Sequence, residues 1–82
     1  MSDLSSVNAS STIDSRGSAY PGPLLEAKKG IGKVKVGEVL EVYSNDEGTR
    51  IDLKAWANKV GHEYMGYVEA DGYDKHFITR KK

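Results

Sequence analysis

Apolar residues recur with a helical period in the stretch that follows the two prolines of the chain. Their spacings of three or four residues place them on one side of an α-helix; they are Leu24, Ala27, Ile31 and Val34. Pro21 and Pro23 mark the helix start, because the first turn tolerates a residue without an N–H. Gly30 and Gly32 each cost about 1 kcal/mol relative to alanine inside a helix. We therefore expect the second half of this helix to depend on tertiary packing.

A second amphipathic helix follows from apolar residues at positions i, i+3, i+4 and i+7. These residues are Leu53, Trp56, Ala57 and Val60. Thr49 or Asp52 is the candidate N-cap, and Gly61 is suited to end the helix because glycine adopts a left-handed conformation readily. Since the apolar stripe must be buried, we expect Trp56 to be an anchor of the core.

Alternating or β-branched residues predict four strands. Residues 38–43 alternate apolar and polar side chains most clearly, and residues 11–16 form a weaker candidate. Residues 62–70 and 73–80 are enriched in Tyr, Val, Phe and Ile, and the Asp71-Gly72 pair between them is a strong hairpin signal.

The predicted order of elements is βαβαββ. Right-handed crossovers would place both helices on one face of a mixed four-stranded sheet, which gives an α/β two-layer sandwich. Eighty-two residues allow one small domain, which we assign to residues 12–82. Residues 1–11 are rich in Ser and Asn and predict a disordered tail.

The amino-acid composition excludes several kinds of site. The chain has no cysteine, which excludes disulfides, thiolate zinc sites and thiol nucleophiles among these residues. Twelve basic residues balance twelve acidic ones, so nucleic-acid binding would need a local basic patch. We see no signal peptide and no stretch apolar enough for a membrane span, so the default expectation is a cytoplasmic protein without a membrane partner.

The start of the first helix is the main candidate binding site. It comprises Tyr20, Pro21, Gly22 and Pro23, and a helix N-terminus suits an anion or a thiolate at the residue just before it. Tyr20 could pack its ring against Trp56 or a strand, or it could serve as a docking knob or a hydroxyl donor.

A secondary surface is assigned to Lys28, Lys29, His62 and Glu63. His62 and Glu63 suggest acid–base chemistry, but a histidine after a helix C-terminus is more often a cation that complements the helix dipole. His76 has no second histidine at ligand spacing, so we expect no metal site there. We assign no catalytic residue, metal or cofactor.

Six short pieces of the sequence follow one another in a recognisable order: Asp14-Ser15-Arg16-Gly17, Pro21-Gly22-Pro23, Val36-Gly37-Glu38, Asn45-Asp46-Glu47-Gly48, Asp52-Leu53-Lys54-Ala55-Trp56 and Gly61-His62-Glu63. In this order and spacing they resemble the TusA/SirA family of small sulfur-carrier proteins, over roughly residues 13–81. The resemblance implies a βαβαββ fold whose first helix opens with Cys-Pro-x-Pro. The family's motif cysteine carries sulfur as a persulfide to partner proteins. Tyr20 stands where that cysteine is expected, and Lys54 stands where the family often has a second helix-opening proline.

The resemblance implies a member that cannot carry sulfur, because a phenol forms no persulfide. It is expected to be a non-catalytic binding or regulatory partner of a sulfurtransferase, such as a DsrE-like protein or a cysteine-bearing TusA-like protein. Tyr20 could be natural or introduced, or the likeness could extend to the fold alone.

The alternative is an RNA-binding module, because the layout also resembles the C-terminal domain of bacterial translation initiation factor three. Its basic surface would comprise Lys28, Lys29, Lys33, Lys35, Arg80, Lys81 and Lys82.

Overall fold

The computed structural model describes residues 7–19 and 21–82. The elements are β1 (Ser11–Asp14), α1 (Gly22–Ile31), β2 (Val39–Ser44), α2 (Thr49–Val60), β3 (Glu63–Glu69) and β4 (Asp74–Thr79). Residues 1–6 of the predicted tail and Tyr20 lie outside the described residues. The amide of Ser10 donates to the Val39 carbonyl (2.8 Å), so regular pairing with β2 begins at the last residues that were assigned to the tail. In the part of the chain described, neither helix is long and apolar enough to cross a bilayer.

The four strands form one mixed sheet in the order β1-β2-β4-β3. β1 runs parallel to β2, whereas β4 is antiparallel to both of its neighbours. Both helices contribute to a single apolar cluster with one side of the sheet. The predicted α/β two-layer sandwich is confirmed.

The two ends of the sheet carry different parts of the chain. Each helix follows a strand of the parallel pair, so α1 and α2 both start at the end where β1 and β2 finish, next to Asp14 and Ser44. We call this the motif end, because it carries the residues around the first helix start. The other end, where β2 begins and β4 finishes, carries Val39 and Thr79.

The core lies between the sheet and the helices. Leu40, Val42 and Ser44 alternate toward the helices and are fully buried, which is the pattern expected of a strand with one covered face. The buried apolar cluster consists of Ala27, Ile31, Val34, Leu40, Val42, Leu53, Ala57 and Ile78.

The helix α1 is shorter than its apolar stripe predicts. It ends at Ile31, and the amides of Gly32 and Lys33 both donate to the Gly30 carbonyl, which tightens the last turn. Val34 is nevertheless 2% exposed, so it fills the core from the loop after the helix. Periodicity identified this residue as buried but placed it in the wrong element.

The helix α2 also differs from prediction at its start. Gly48 is the N-cap, rather than Thr49 or Asp52. The Thr49 hydroxyl is buried and bonds to the Ser44 hydroxyl (2.9 Å), so a tertiary contact replaces the predicted cap. Gly61 ends the helix at φ +87°, as predicted.

The expected burial of the α2 stripe holds for Leu53 and Ala57 only. Trp56 is half-buried at the edge of the core rather than its anchor, and it contacts the His62 ring with 5.9 Å between ring centroids. Val60 is 39% exposed. A stripe of four apolar residues is wider than the contact that this short helix makes with the sheet.

The last two strands form the predicted hairpin. The Ala70 amide donates to the Tyr73 carbonyl (2.7 Å), and Gly72 has a φ of +83° in the turn between them. A bulge between Tyr64 and Gly66 inserts Met65, so Tyr64 and Tyr67 both share the helix side with residues of β4. Sequence alternation alone does not reveal this change of face.

Two ionisable side chains of this hairpin are buried, Asp74 and His76. His76 is fully buried, its Nδ1 lies 2.8 Å from the Tyr64 hydroxyl, and its Nε2 has no hydrogen-bond partner among the described residues. Burial lowers the pKa of His76 from its ordinary 6.5 to about 4, with the nearby Arg50 guanidinium acting in the same direction and Asp74 opposing it.

Replacement of Gly30 by alanine should destabilise the fold. A Cβ at this position would overlap Cδ1 of Ile13 and lie 3.2 Å from Cδ1 of Leu40, because α1 crosses β1 and β2 closely here. Overpacking should outweigh the gain in helix propensity and lower the free energy of unfolding in urea by about 1 to 2 kcal/mol.

Gly32→Ala is the matched control for this experiment. Its Cβ would lie 3.6 Å from the Lys29 carbonyl oxygen, an ordinary contact, and Gly32 has a φ of −73°. We expect a gain of about 0.5 kcal/mol. Equal effects at Gly30 and Gly32 would contradict close packing as the reason for Gly30.

Stability should fall as the pH drops from 6.5 to 4. The pKa of His76 is lower in the folded chain than in the unfolded chain, so the unfolded chain takes up the proton first. A shift of this size costs about 2 to 3 kcal/mol of unfolding free energy by pH 4.5. Urea titrations at pH 7 and pH 4.5 measure this loss.

His62→Gln removes the other histidine of the chain and leaves His76 as the only imidazole. The pH dependence should persist in this variant, and NMR should show the His76 ring titrating well below 6.5. An imidazole in this variant that titrates at its ordinary value would overturn the explanation.

Candidate functional site

The loop between β1 and α1 is tied to the end of β2. The amide and the hydroxyl of Ser15 both donate to the Tyr43 carbonyl (2.9 and 2.8 Å). The Gly17 amide donates to the Asn45 side-chain oxygen (3.0 Å). We call residues 15–19 and 21–23 the motif loop, and these bonds hold its first residues against the β2–α2 connection.

Two glycines of the motif loop are needed for its shape. Gly17 has a φ of +87°, a conformation that glycine adopts without strain. A Cβ at Gly22 would lie only 2.9 Å from the Cβ of Ser18, because the chain doubles back before the helix. The residues that carry the family resemblance therefore include ones that the local backbone requires.

The prolines start α1 as the sequence predicts. Pro21 occupies the N-cap position, and Pro23 is buried in the first turn. The Gly22 amide donates to the Ala19 carbonyl (2.8 Å) and the Leu25 amide donates to the Pro21 carbonyl (2.9 Å). Since Pro23 has no N–H, the helix start offers fewer free donors to an anion than its position suggests. Tyr20 lies outside the described residues, so neither of its proposed roles is tested.

An ion pair supports the loop from the open face of the sheet. Both guanidinium nitrogens Nε and Nη2 of Arg16 donate to the Asp14 carboxylate (2.8 and 2.6 Å). This side-chain bond, together with the Arg16 amide bonded to the same carboxylate, lowers the pKa of Asp14 to about 2. The Arg16 guanidinium also lies over the rings of Tyr73 and Tyr43, at 4.6 and 5.5 Å from their centroids.

A second ion pair joins α2 to the hairpin at the same end. Arg50 donates from Nε and Nη2 to the mostly buried Asp74 carboxylate (2.7 and 3.0 Å) and lies 4.3 Å from the Tyr67 ring centroid. Beside this pair is a cleft of about 210 Å³, lined by Asn45, Glu47, Arg50, Glu69, Ala70, Gly72, Tyr73 and Asp74. The motif end is thus rigidly cross-linked and mainly acidic around the cleft.

Large apolar side chains are exposed near the helix starts. Ile51 is 75% exposed in the first turn of α2, and Leu25 is 48% exposed in the first turn of α1. The sequence interpretation did not select them, although each lies off the apolar stripe of its helix, which is the signal that identifies an outward-facing residue. Apolar residues on an outward face are available for contact with a partner.

The residues assigned to the secondary surface come from two parts of the fold. His62 and Glu63 lie where β3 begins, at the end of the sheet away from the motif loop. His62 Nδ1 accepts a bond from the Lys81 amide (3.1 Å), and Glu63 pairs with the Lys81 ammonium group (3.5 Å). Desolvation, with Arg80 and Lys82 nearby, lowers the pKa of His62.

The two lysines of that prediction are on α1. Lys29 pairs with Glu26 (3.8 Å), and Lys28 lines a shallow groove between the helices together with Trp56. The Trp56 ring also contacts His62, and the grouping of Lys28 and Lys29 with His62 and Glu63 as one surface stays a prediction. Among the described residues, no group of three or more metal-ligating side chains comes together.

The sequence of this chain is similar to those of known proteins over nearly all of its length. The family model described as sulfurtransferase TusA matches residues 11–80. YrkF of Bacillus subtilis strain 168 is 41% identical over 75 residues, which cover 90% of this chain and 40% of YrkF. The sulfur carrier protein TusA of Allochromatium vinosum is 36% identical over 69 residues, which cover 84% of this chain and 90% of that protein.

A solved structure agrees with the fold. The crystal structure of a SirA-like protein from Desulfitobacterium hafniense superposes with a TM-score of 0.76 and 28% sequence identity, over 88% of this chain and 99% of that one. The family model covers nearly all of the described domain, and the matched stretch contains the motif loop and both helices. This chain belongs to the TusA family of sulfur carriers.

Proposed function

We propose that this chain is a TusA-family protein that binds a sulfurtransferase, or a cysteine-bearing relative, without carrying sulfur itself. One observation carries the proposal: the motif loop is held in place by Ser15, Arg16 and Gly17, while the chain contains no cysteine. The supporting contacts involve no thiol. A docking shape can therefore persist where the transfer chemistry is absent.

The chemistry of the carrier step requires a thiol. A persulfide forms when a thiolate sulfur becomes bonded to a second sulfur atom, and a phenol oxygen offers no equivalent. The family resemblance assigns Tyr20 to the position of the carrier cysteine. We accordingly assign Tyr20, Pro21, Gly22 and Pro23 to binding, and no residue to catalysis.

The docking surface that we propose is centred on the motif end. Ile51 and Leu25 supply apolar contact area beside the helix starts, and Glu47 and Asp52 are polar neighbours of Ile51 along the chain. An apolar centre with a charged rim is the usual anatomy of a specific protein interface. A sulfurtransferase that normally receives a carrier of this fold would meet a similar shape. The cytoplasmic location expected from the sequence remains a prediction.

Tyr20→Cys should create a sulfur acceptor on an intact fold. The variant places a thiol before the N-terminus of α1, where the helix dipole lowers thiol pKa values. After treatment with a persulfide donor, intact-mass spectrometry should show one added sulfur, which cyanide removes. Ser18→Cys, at an exposed position in the same loop, is the control for general thiol reactivity. No added sulfur on Tyr20→Cys, or equal loading of both variants, would contradict the proposed position of the site.

Ile51→Ser should weaken capture of a sulfurtransferase from lysate of the source organism by tenfold or more, because a buried isoleucine in an interface contributes about 1.5 to 3 kcal/mol. Tyr20→Ala should weaken capture in the same direction. Quantitative mass spectrometry of bound proteins, with and without ribonuclease, measures the effect.

Val36→Ser is the matched control, because Val36 is 61% exposed but lies in the loop before β2, at the other end of the sheet. This variant should retain the sulfurtransferase as the unmodified chain does. Equal losses with Ile51→Ser and Val36→Ser would count against docking at the motif end, as would capture that ribonuclease abolishes.

A further inference from the structure

Basic residues converge at the end of the sheet opposite the motif loop. Arg80 is central: its Nη1 donates to the Val34 carbonyl (2.6 Å), and its own carbonyl accepts from the Gly37 amide (2.6 Å). These bonds join the residues after β4 to the loop that carries Lys33 and Lys35. We define the basic end as Lys33, Lys35, Arg80, Lys81 and Lys82.

The same residues after β4 also contact the turn between α2 and β3. The Lys81 amide donates to His62 Nδ1, and the Lys82 side chain lies so close to Gly61 that a Cβ there would be 2.7 Å from its Cε. Three separate segments, each bringing positive or ionisable groups, therefore form one continuous surface. The depressed pKa of His62, to which Arg80 and Lys82 contribute after desolvation, agrees with an excess of positive charge here.

Most of this charge is not neutralised within the described residues. Lys33, Lys35 and Lys82 are exposed and form no ion pair there. Glu63 pairs with Lys81, and Glu38 accepts the backbone amide of Lys35. Arg80 Nε donates to the backbone oxygen of Lys82 (2.7 Å). The neutral total charge of the chain thus conceals a local excess of cations.

Helix electrostatics explain only part of the cluster. Lysines after α1 complement the negative end of its dipole, which accounts for Lys33 and Lys35. Arg80, Lys81 and Lys82 follow a strand instead, so the dipole of a helix does not account for them. The convergence of these three residues with Lys33 and Lys35 therefore needs a different explanation.

We propose that the basic end binds the phosphodiester backbone of a nucleic acid, independently of the motif end. Phosphates are recognised by lysine and arginine side chains through charge, without a shaped pocket. An acidic protein is the weaker fit, because lysine is depleted from the cores of protein interfaces whereas aromatic residues and arginine are enriched. Because recognition by charge carries no sequence information, binding should be weak and independent of sequence.

The salt dependence gives the sharpest test. Each phosphate contact on a single strand changes the slope of log K against log salt by about 0.7. Loss of three lysine contacts should therefore reduce the slope by about 2 and raise Kd at least about tenfold at 0.1 M salt. Fluorescence anisotropy of a labelled 20-nucleotide RNA of mixed sequence, at several salt concentrations between 50 and 200 mM, measures both quantities.

A triple variant and a matched control separate this surface from general electrostatics. The test variant is Lys33→Gln/Lys35→Gln/Lys82→Gln, and the control is Lys54→Gln/Lys59→Gln/Lys75→Gln. Each set replaces three lysines and changes the net charge equally. The control should bind RNA nearly as the unmodified chain does. Thermal melts check that both variants remain folded.

Three competitors distinguish the possible ligands: unlabelled RNA, DNA of the same sequence, and polyglutamate of equal charge. Competition by RNA and DNA alike supports recognition of the phosphodiester, whereas competition by RNA alone supports the proposal with a preference for the ribose. Stronger competition by polyglutamate, equal losses in the two triple variants, or no binding by the unmodified chain at 50 mM salt would overturn it.

Discussion

The parallel pairing of β1 with β2 is the constraint on which the rest of this structure depends. Two parallel neighbours require crossovers, and here each strand of the pair is followed by a helix on the same face of the sheet. Both helices therefore start at one end and finish at the other. This places the motif loop beside the β2–α2 connection, where Ser15 reaches the Tyr43 carbonyl. It also sends the loop after α1, with Lys33 and Lys35, to the opposite end.

Local signals in the sequence were sufficient for the order of elements and for several boundaries. Gly61 and the Asp71-Gly72 turn were correctly assigned because their conformations are set by glycine itself. The remaining features depend on contacts distant along the chain. Nothing near Thr49 reveals that its hydroxyl bonds to Ser44, and the importance of Gly30 comes from Ile13, which lies on another element. Of the candidate site, the start of α1 was predictable from its prolines, whereas the bonds from Ser15 to Tyr43 and from Gly17 to Asn45 were not, because they join residues far apart along the chain.

The cross-links at the motif end explain how this surface can keep its shape without a carrier residue. Asp14 and Arg16 pair on one side of the loop, and Arg50 and Asp74 pair where α2 meets the hairpin. Exposed ion pairs contribute little to stability, but bidentate pairs stacked on tyrosine rings restrict orientation. The bonds that build this framework at Asp14, Ser15, Gly17 and Asp74 involve no thiol. The docking geometry that we propose can therefore be present in a chain that has no cysteine.

The two proposed surfaces can act independently because of their separation. The six residues of β2 that span the sheet between them extend for about 20 Å, whereas the screening length at physiological salt is about 8 Å. A partner at the motif end would neither cover the basic end nor change its potential appreciably. A chain of 82 residues could thus hold a protein and a nucleic acid together without any coupling through its core. Such an arrangement needs binding energy at each end and no chemistry at either, which suits a chain that has no cysteine.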